Sequence, residues 1–311
     1  MNNILITGGA GFIGSHLIKK LLIDNNYIIC VDNLITGDIN NIKNYINNPN
    51  FKFINTNIID KSIINLFDDI HISEIYHLAS IASPDKYKLY SLETLNTNIL
   101  GTINILELTK KNNCKLLFTS TSEIYGDPWI YPQNEDYFGN VNTMGERSCY
   151  DEGKRVAETY IYEYKKIYNL DIKIVRLFNT YGPNMNINDG RVITNFIRSF
   201  INNEPLLIYG DGYQTRSFCY IDDTIDGIIK MMNSIYDGPI NIGNPNYELS
   251  IKELAELFIK LNNNLFIKNL NKTQDDPKIR RPDITKAIKL LNWNPNISLE
   301  DGIQNTIKYF S

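Results

Sequence analysis

Apolar residues along this chain recur in two rhythms. Short runs rich in Ile, Val, Leu and Phe fall at residues 3–7, 27–31, 51–55, 74–78, 115–119 and 171–177. Runs of this length bounded by polar turns predict strands. Between them the apolar spacing lengthens to three and four, which predicts helices over residues 15–23, 61–68 and 92–111. Buried strands alternating with helices predict an α/β fold, a doubly wound parallel sheet with right-handed crossovers and helices on both faces. The rhythm breaks at Phe178-Asn179-Thr180-Tyr181-Gly182-Pro183, where glycine and proline end the sixth strand. A smaller α/β lobe is expected beyond it, with a return to the sheet around residues 218–243 and helices near 251–261 and 299–310. That divides the chain into residues 1–178 plus about 217–243, and residues 179–216 plus 244–311.

Ligands of such a sheet lie beyond the carboxyl ends of its strands. Four loops qualify: residues 8–14, 32–37, 79–87 and 120–126. The first holds Gly8, Gly11 and Gly14 in the spacing G-x-x-G-x-x-G between a strand and a helix, so a pyrophosphate can approach the backbone and sit on the helix N-terminus. A glycine triplet alone equally describes a tight turn. The second strand, however, runs into Asp32, 18 residues beyond Gly14. A carboxylate there accepts from both ribose hydroxyls and repels a 2′-phosphate, and residues 33–37 contain no Arg or Lys to neutralise one. The predicted cofactor is NAD rather than NADP.

Tyr150 and Lys154 are spaced i, i+4 and share one helical face. An ammonium beside a phenol, whose ordinary pKa is about 10, lowers the cost of the phenolate, so the pair is expected to act as a base near neutral pH. The spacing alone is a weak signal, since helices carry it by chance. Thr121-Ser122-Glu123 gathers two hydroxyls and a carboxylate after the fifth strand, which by itself describes a capped turn as well as a site. Tyr160, Tyr164 and Tyr168 repeat every fourth residue and read as packing or a dimer seam.

Composition narrows the classes. The 311 residues are 43% hydrophobic and 21% charged, which excludes disorder as the main state. A net charge of -4 without a dense Lys/Arg run excludes a nucleic-acid surface and a polybasic membrane patch. Four scattered cysteines and three histidines indicate neither a zinc site nor a disulfide framework. No apolar run reaches spanning length, and the strand pattern begins at the third residue, so a soluble, cytoplasmic protein without a cleaved leader is expected.

With the glycine loop, Asp32, Thr121-Ser122-Glu123 and Tyr150/Lys154 in this order, the chain resembles the extended short-chain dehydrogenase/reductase superfamily over essentially its full length, which implies a Rossmann-type fold. Within it the chain is similar to the UDP-glucuronate decarboxylases, through residues 119–127, 149–158, 188–192 and 214–216 and through Asp275-Asp276-Pro277-Lys278-Ile279-Arg280-Arg281-Pro282-Asp283-Ile284. The resemblance implies conversion of UDP-glucuronate to UDP-xylose, with NAD reduced and reoxidised in each turnover. Oxidising the C4 hydroxyl makes the sugar a β-keto acid, from which carbon dioxide leaves with the electrons held as an enolate.

The same resemblance implies roles for individual residues. Tyr150 handles the C4 proton, Lys154 tunes the phenol and bonds the nicotinamide ribose, and Thr121 bonds the C4 oxygen. Ser122 and Glu123 stand beside C5 and C6, and burial is expected to raise the Glu123 pKa. Arg280 binds the carboxylate or assists protonation, although by composition alone it reads as a solvated charge. NAD contacts are implied for Gly8, Gly11, Phe12, Ile13, Asp32, Asn33, Thr36, Gly37, Asn57, Ile58, Leu78, Ala79, Ser80, Thr97, Thr119, Tyr150 and Lys154. UDP-sugar contacts are implied for Pro84, Tyr87, Asn179, Arg191, Tyr209, Gln214, Arg216 and Arg280, with no metal. Departures from the family pattern are Asn57 for an aspartate at the adenine, Asp38 for a basic residue, Ile81 for a proline and Asn96 for a lysine. A homodimer through the helices near residues 92–111 and 154–168 is implied. A nucleotide-sugar 4,6-dehydratase like the GDP-mannose enzymes, and a non-catalytic NAD-binding regulator, are the alternatives; a 4-epimerase has no need of Glu123.

Overall fold

The computed structural model describes residues 2–271 and 278–311; the stretch Asp275-Asp276-Pro277 of the decarboxylase-like motif lies outside them. In chain order, β1 (Asn3–Thr7), α1 (Phe12–Ile23), β2 (Tyr27–Asp32), β3 (Phe51–Asn55) and β4 (Glu74–His77) begin the sheet. Helices α2 (Pro84–Leu89), α3 (Ser91–Asn96) and α4 (Thr102–Asn112) lead to β5 (Lys115–Thr121), α5 (Ser148–Tyr168) and β6 (Ile172–Leu177). Then come β7 (Thr180–Tyr181), α6 (Val192–Asn202), β8 (Leu206–Tyr209), β9 (Thr215–Ser217), β10 (Cys219–Tyr220), α7 (Ile221–Met232) and β11 (Pro239–Ile242). The chain ends with β12 (Glu248–Ser250), α8 (Ile251–Leu261), β13 (Ile267–Leu270), α9 (Thr285–Leu291) and α10 (Leu299–Phe310).

Seven strands form one parallel sheet in the order β11-β6-β5-β4-β1-β2-β3. The order reverses between β1 and β4, and the crevice beyond their carboxyl ends is where such sheets bind ligands. Alternate side chains point to opposite faces. Ile4 and Ile6 therefore join one core with Leu17, Ile18, Ile221, Ile225 and Ile228, whereas Leu5 joins the other with Ile105, Leu106, Ala157 and Ile161. Each buried Ile or Leu among them contributes about 1.5–3 kcal/mol, so both faces of the sheet are held. Smaller pairings, β7 with β10, β9 with β12 and β8 with β13, lie outside this sheet.

Two predicted helices differ from the pattern. Residues 61–68 form only a 3-10 turn at Lys61–Ile64. Ile63 and Phe67 are both buried, so the apolar spacing is satisfied by a short 3-10 turn without a full helix. Residues 92–111 are not one α-helix: α3 and α4 are joined by a π-turn at Thr97–Gly101, the kind of insertion that marks functional sites.

A buried polar network ties the fifth strand's exit loop to the sheet. Arg176 on β6 grips Glu158 on α5 with two bonds, at 2.7 and 3.1 Å, and the Ser120 hydroxyl donates to the same carboxylate at 2.5 Å. Arg176 also donates to the Tyr125 hydroxyl at 3.0 Å, which in turn donates to Asn241 on β11 at 2.8 Å. A network this fully paired fixes one geometry, and it fixes residues 120–125.

Candidate active site

The turn between β1 and α1 needs its glycines. Gly8 has φ +72°, and a Cβ there would lie 2.8 Å from the Ala79 backbone. At Gly14 a Cβ would lie 2.3 Å from the Gly8 carbonyl oxygen and 2.6 Å from the Gly9 Cα. The loop thus lies flat before the α1 N-terminus. Asp32 ends β2 beside it, accepting from the Ala10 amide at 3.0 Å and the Leu34 amide at 2.9 Å. Burial pushes its carboxyl up, against the backbone donors that hold it down. Asp32 therefore braces the glycine loop, the strand-end role, and still borders the open crevice. Asn57 uses its amide oxygen to accept from the Ile59 amide at 3.0 Å, so that oxygen is already engaged in its own turn.

Tyr150 and Lys154 share the inward face of α5, and both are buried. Their electrostatics run against the sequence expectation. Burial pushes the Tyr150 phenol up to about 12, opposed by the Thr121 hydroxyl bond and Arg191 and reinforced by Glu123 and Asp151. Burial likewise pushes Lys154 down to about 7, with Glu158 pulling it back. The ammonium donates to the Thr119 carbonyl at 2.8 Å and lies 4.5 Å from the centre of the Phe118 ring. It is directed at the backbone of β5, and burial, the largest influence on the phenol, raises the Tyr150 pKa. Tyr87 stacks on Tyr150 with centroids 5.3 Å apart, above the buried Ile81 that stands in place of the family's proline.

Glu123 departs from expectation more sharply. Burial alone would raise its carboxyl, but Arg280 and Arg147 hold it down at about 2. Arg280 grips both carboxylate oxygens, with Nη2 donating to Oε2 at 2.8 Å and Nη1 to Oε1, and Arg147 Nη2 donates to Oε2 at 2.5 Å. Arg280 is 4% exposed, so the solvated-charge reading fails for it. The Glu123 amide donates to the Thr121 hydroxyl oxygen at 3.2 Å, which fixes the turn carrying the carboxylate.

One cavity of about 1110 Å³ is lined by every residue expected above to act, or to touch cofactor or sugar nucleotide. Residues from widely separated stretches meet there because the sheet reversal and the folded-back segment at 278–282 converge on it. Ser80 donates to Asn98 in the π-turn at 2.8 Å, and Thr119 donates to the His77 carbonyl at 3.2 Å. Arg191 precedes α6 and donates to the Ala82 carbonyl at 3.1 Å; Arg216 is buried and donates to the Thr215 carbonyl at 2.8 Å. Gln214 donates to the Tyr209 carbonyl at 3.1 Å, and Asn179 accepts from the Cys219 amide at 2.9 Å. Arg147 is the chief residue that sequence reasoning missed. Its position three residues before Tyr150, one helical turn away, was the available signal. Arg198, Tyr309 and Phe310 also border the cavity and carried no motif.

Among the described residues no helix is long and apolar enough to cross a membrane, and no group of three or more His, Cys, Asp or Glu is arranged to hold a metal.

Known proteins resemble this chain over nearly its full length. The chain is 48% identical over 309 residues to UDP-glucuronic acid decarboxylase 1 of Danio rerio, covering 99% of this chain and 72% of the relative. It is 49% identical over 302 residues to UDP-glucuronic acid decarboxylase 5 of Arabidopsis thaliana, covering 96% and 86%. A crystal structure of UDP-glucuronic acid 4-epimerase from Bacillus cereus, in complex with UDP-glucuronic acid and NAD, matches with a TM-score of 0.89 at 31% identity over 99% of this chain and 98% of that one. The resemblance read from the sequence is borne out. Residues 4–243, which hold the glycine loop, Asp32, Glu123 and the Tyr150/Lys154 pair, match the family model as well, and the chain belongs to the NAD dependent epimerase/dehydratase family.

Proposed function

We propose that this protein decarboxylates UDP-glucuronate to UDP-xylose through a UDP-4-keto sugar, with NAD regenerated in each turnover. The observation that carries the reading is Glu123 held between Arg280 and Arg147 in the cavity that Tyr150 lines. One carboxylate between two guanidiniums leaves net positive charge where a uronate carboxylate must be received. Relatives at 48% and 49% identity bear the name of this activity.

The residues present fit NAD. The glycine turn leaves backbone approachable at the α1 N-terminus, Asp32 borders the same cavity, and the residues after it carry no positive charge for a 2′-phosphate. Gly11, Phe12 and Ile13 would hold the pyrophosphate, Asp32, Asn33, Thr36 and Gly37 the adenosine ribose, Asn57 and Ile58 the adenine. Leu78, Ala79, Ser80, Thr97, Thr119 and Lys154 would line the nicotinamide end. When bound, NAD accepts a hydride from the sugar C4 and returns it to the ketone later in the same turnover.

The protein's own residues handle protons and charge. Tyr150 takes the C4 hydroxyl proton and later gives it back. Burial holds the phenol protonated at rest, while the Thr121 hydroxyl and Arg191 favour the anion. Loss of carbon dioxide leaves the electron pair conjugated with the C4 carbonyl, whose oxygen Thr121 steadies. Arg280 holds the substrate carboxylate until it leaves as carbon dioxide, and a proton from solvent then reaches C5 and turns the enolate back into the 4-ketone. Ser122 is buried in the wall of the same cavity. Arg191, Arg216, Gln214, Tyr209, Asn179, Pro84 and Tyr87 would bind the UDP-sugar, the arginines at the diphosphate. A 4,6-dehydratase acts on a sugar with a C6 hydroxyl and no carboxylate, so the Arg280 guanidinium held against Glu123 in the cavity favours decarboxylation.

Two lobes fit these tasks: residues 1–178 plus about 217–243 for NAD and residues 179–216 plus 244–311 for the sugar nucleotide. Leu92, Leu100 and Tyr160 are exposed on α3, the π-turn and α5, which supports a homodimer through those helices. Four free cysteines support a reducing compartment, the cytoplasm. The direct trial mixes purified protein, NAD and UDP-glucuronate and follows carbon dioxide and a UDP-pentose by mass spectrometry. Absence of carbon dioxide at every pH would overturn the reading.

A further inference from the structure

Glu123 has one counter-ion more than neutrality requires. Arg280 already covers both of its oxygens, and Arg147 adds a third bond at 2.5 Å to Oε2. The two side chains of the Arg147–Glu123 pair are 16% and 14% exposed, so this is not a solvated surface contact. The Arg147 carbonyl accepts from the Tyr150 and Asp151 amides, each at 3.0 Å, which anchors this guanidinium one turn from the phenol. Arg147 thereby joins the first turn of α5 to the turn after β5. Arg280 comes from a third place, the segment after residue 277.

On the decarboxylase reading, an incoming uronate carboxylate competes with Glu123 for Arg280. We propose that Arg147 is a positioning residue that keeps Glu123 anionic and in place while Arg280 turns its bonds to the substrate carboxylate. Without it, a buried carboxylate deprived of its guanidinium protonates instead of staying charged. The charged and titratable groups facing Glu123 are Arg280, Arg216, Arg147 and Asp151, with the phenols of Tyr150 and Tyr87. Asp151 lies 4.0 Å from the Arg147 Nε, and burial together with Glu123 pushes its carboxyl up to about 8. That rise weakens the hold of Asp151 on this guanidinium relative to that of Glu123, whose bond to Arg147 is far shorter.

The test is the pH profile of kcat for the NAD-loaded protein on saturating UDP-glucuronate, for wild type, R147Q, R147K, E123Q and R147Q/E123Q, with thermal melting to check folding. Glu123 works as the anion, and two guanidiniums hold its pKa low. The acid limb of R147Q should therefore rise by at least one pH unit above that of wild type, so that kcat falls tenfold or more at the acid end and least at the alkaline end. R147K, which keeps a cation, should fall between them, and it serves alone if R147Q does not fold. In the E123Q background R147Q should shift nothing further. An R147Q profile parallel to wild type, an R147K limb no lower than that of R147Q, or a further shift in the double variant would overturn the inference. Failure of wild type to release carbon dioxide would instead overturn the decarboxylase reading, so the two failures are separate.

Discussion

Lys154→Met should make the protein more stable and inactive, with a pH signature that identifies the cause. The wild-type ammonium is 2% exposed, and burial lowers its pKa from an ordinary 10.5 to about 7. That depression corresponds to about 5 kcal/mol against the charged form. The sign follows from proton binding: between pH 7 and 10.5 the unfolded chain holds the proton and the folded chain does not. The penalty is thus complete below pH 7 and fades as pH rises toward 10.5. Methionine removes it at similar volume, but forfeits the bond to the Thr119 carbonyl and the contact with the Phe118 ring, together about 1–2 kcal/mol. The net gain should be about 3 kcal/mol at pH 6. It should be about 3 kcal/mol smaller at pH 9.5, where most of the penalty is already gone. Urea unfolding of protein stripped of NAD, followed through the buried Trp293, measures both values, while carbon dioxide release measures the lost activity. A stability difference that is the same at both pH values would refute the desolvated-ammonium argument.

Other outcomes follow from the same geometry. Tyr150→Phe should lower kcat by about 10²–10⁴-fold while NAD still binds and the melting temperature holds; a lost fold would assign the phenol to packing. Gly14→Ala puts a Cβ 2.3 Å from the Gly8 carbonyl oxygen and should cost about 1–3 kcal/mol in urea unfolding, with NAD affinity by calorimetry at least tenfold weaker. Glu158→Ala strands Arg176 and the Ser120 hydroxyl and should cost about 3–5 kcal/mol, read by the same unfolding assay.

What the sequence by itself determined is local. Short β-branched runs and helical spacing are properties of neighbouring residues, so six sheet strands, α1, α8 and α10 were legible within a few residues. The glycine turn was legible because a Cβ at Gly8 or Gly14 has no room, a backbone constraint that only glycine meets. The Tyr150/Lys154 face was legible because helical geometry alone makes it. Only the tertiary structure decided charge state. Pairing the ammonium with the phenol in sequence implied an easier phenolate, yet burial moved both groups the other way and aimed Lys154 at Thr119. Burial implied a raised glutamate, yet Arg280, 157 positions away, and Arg147, 24 away, reversed it. A pKa depends on which distant charges fold to within a few ångströms and on how much water they exclude, and neither is written in the spacing of residues along the chain.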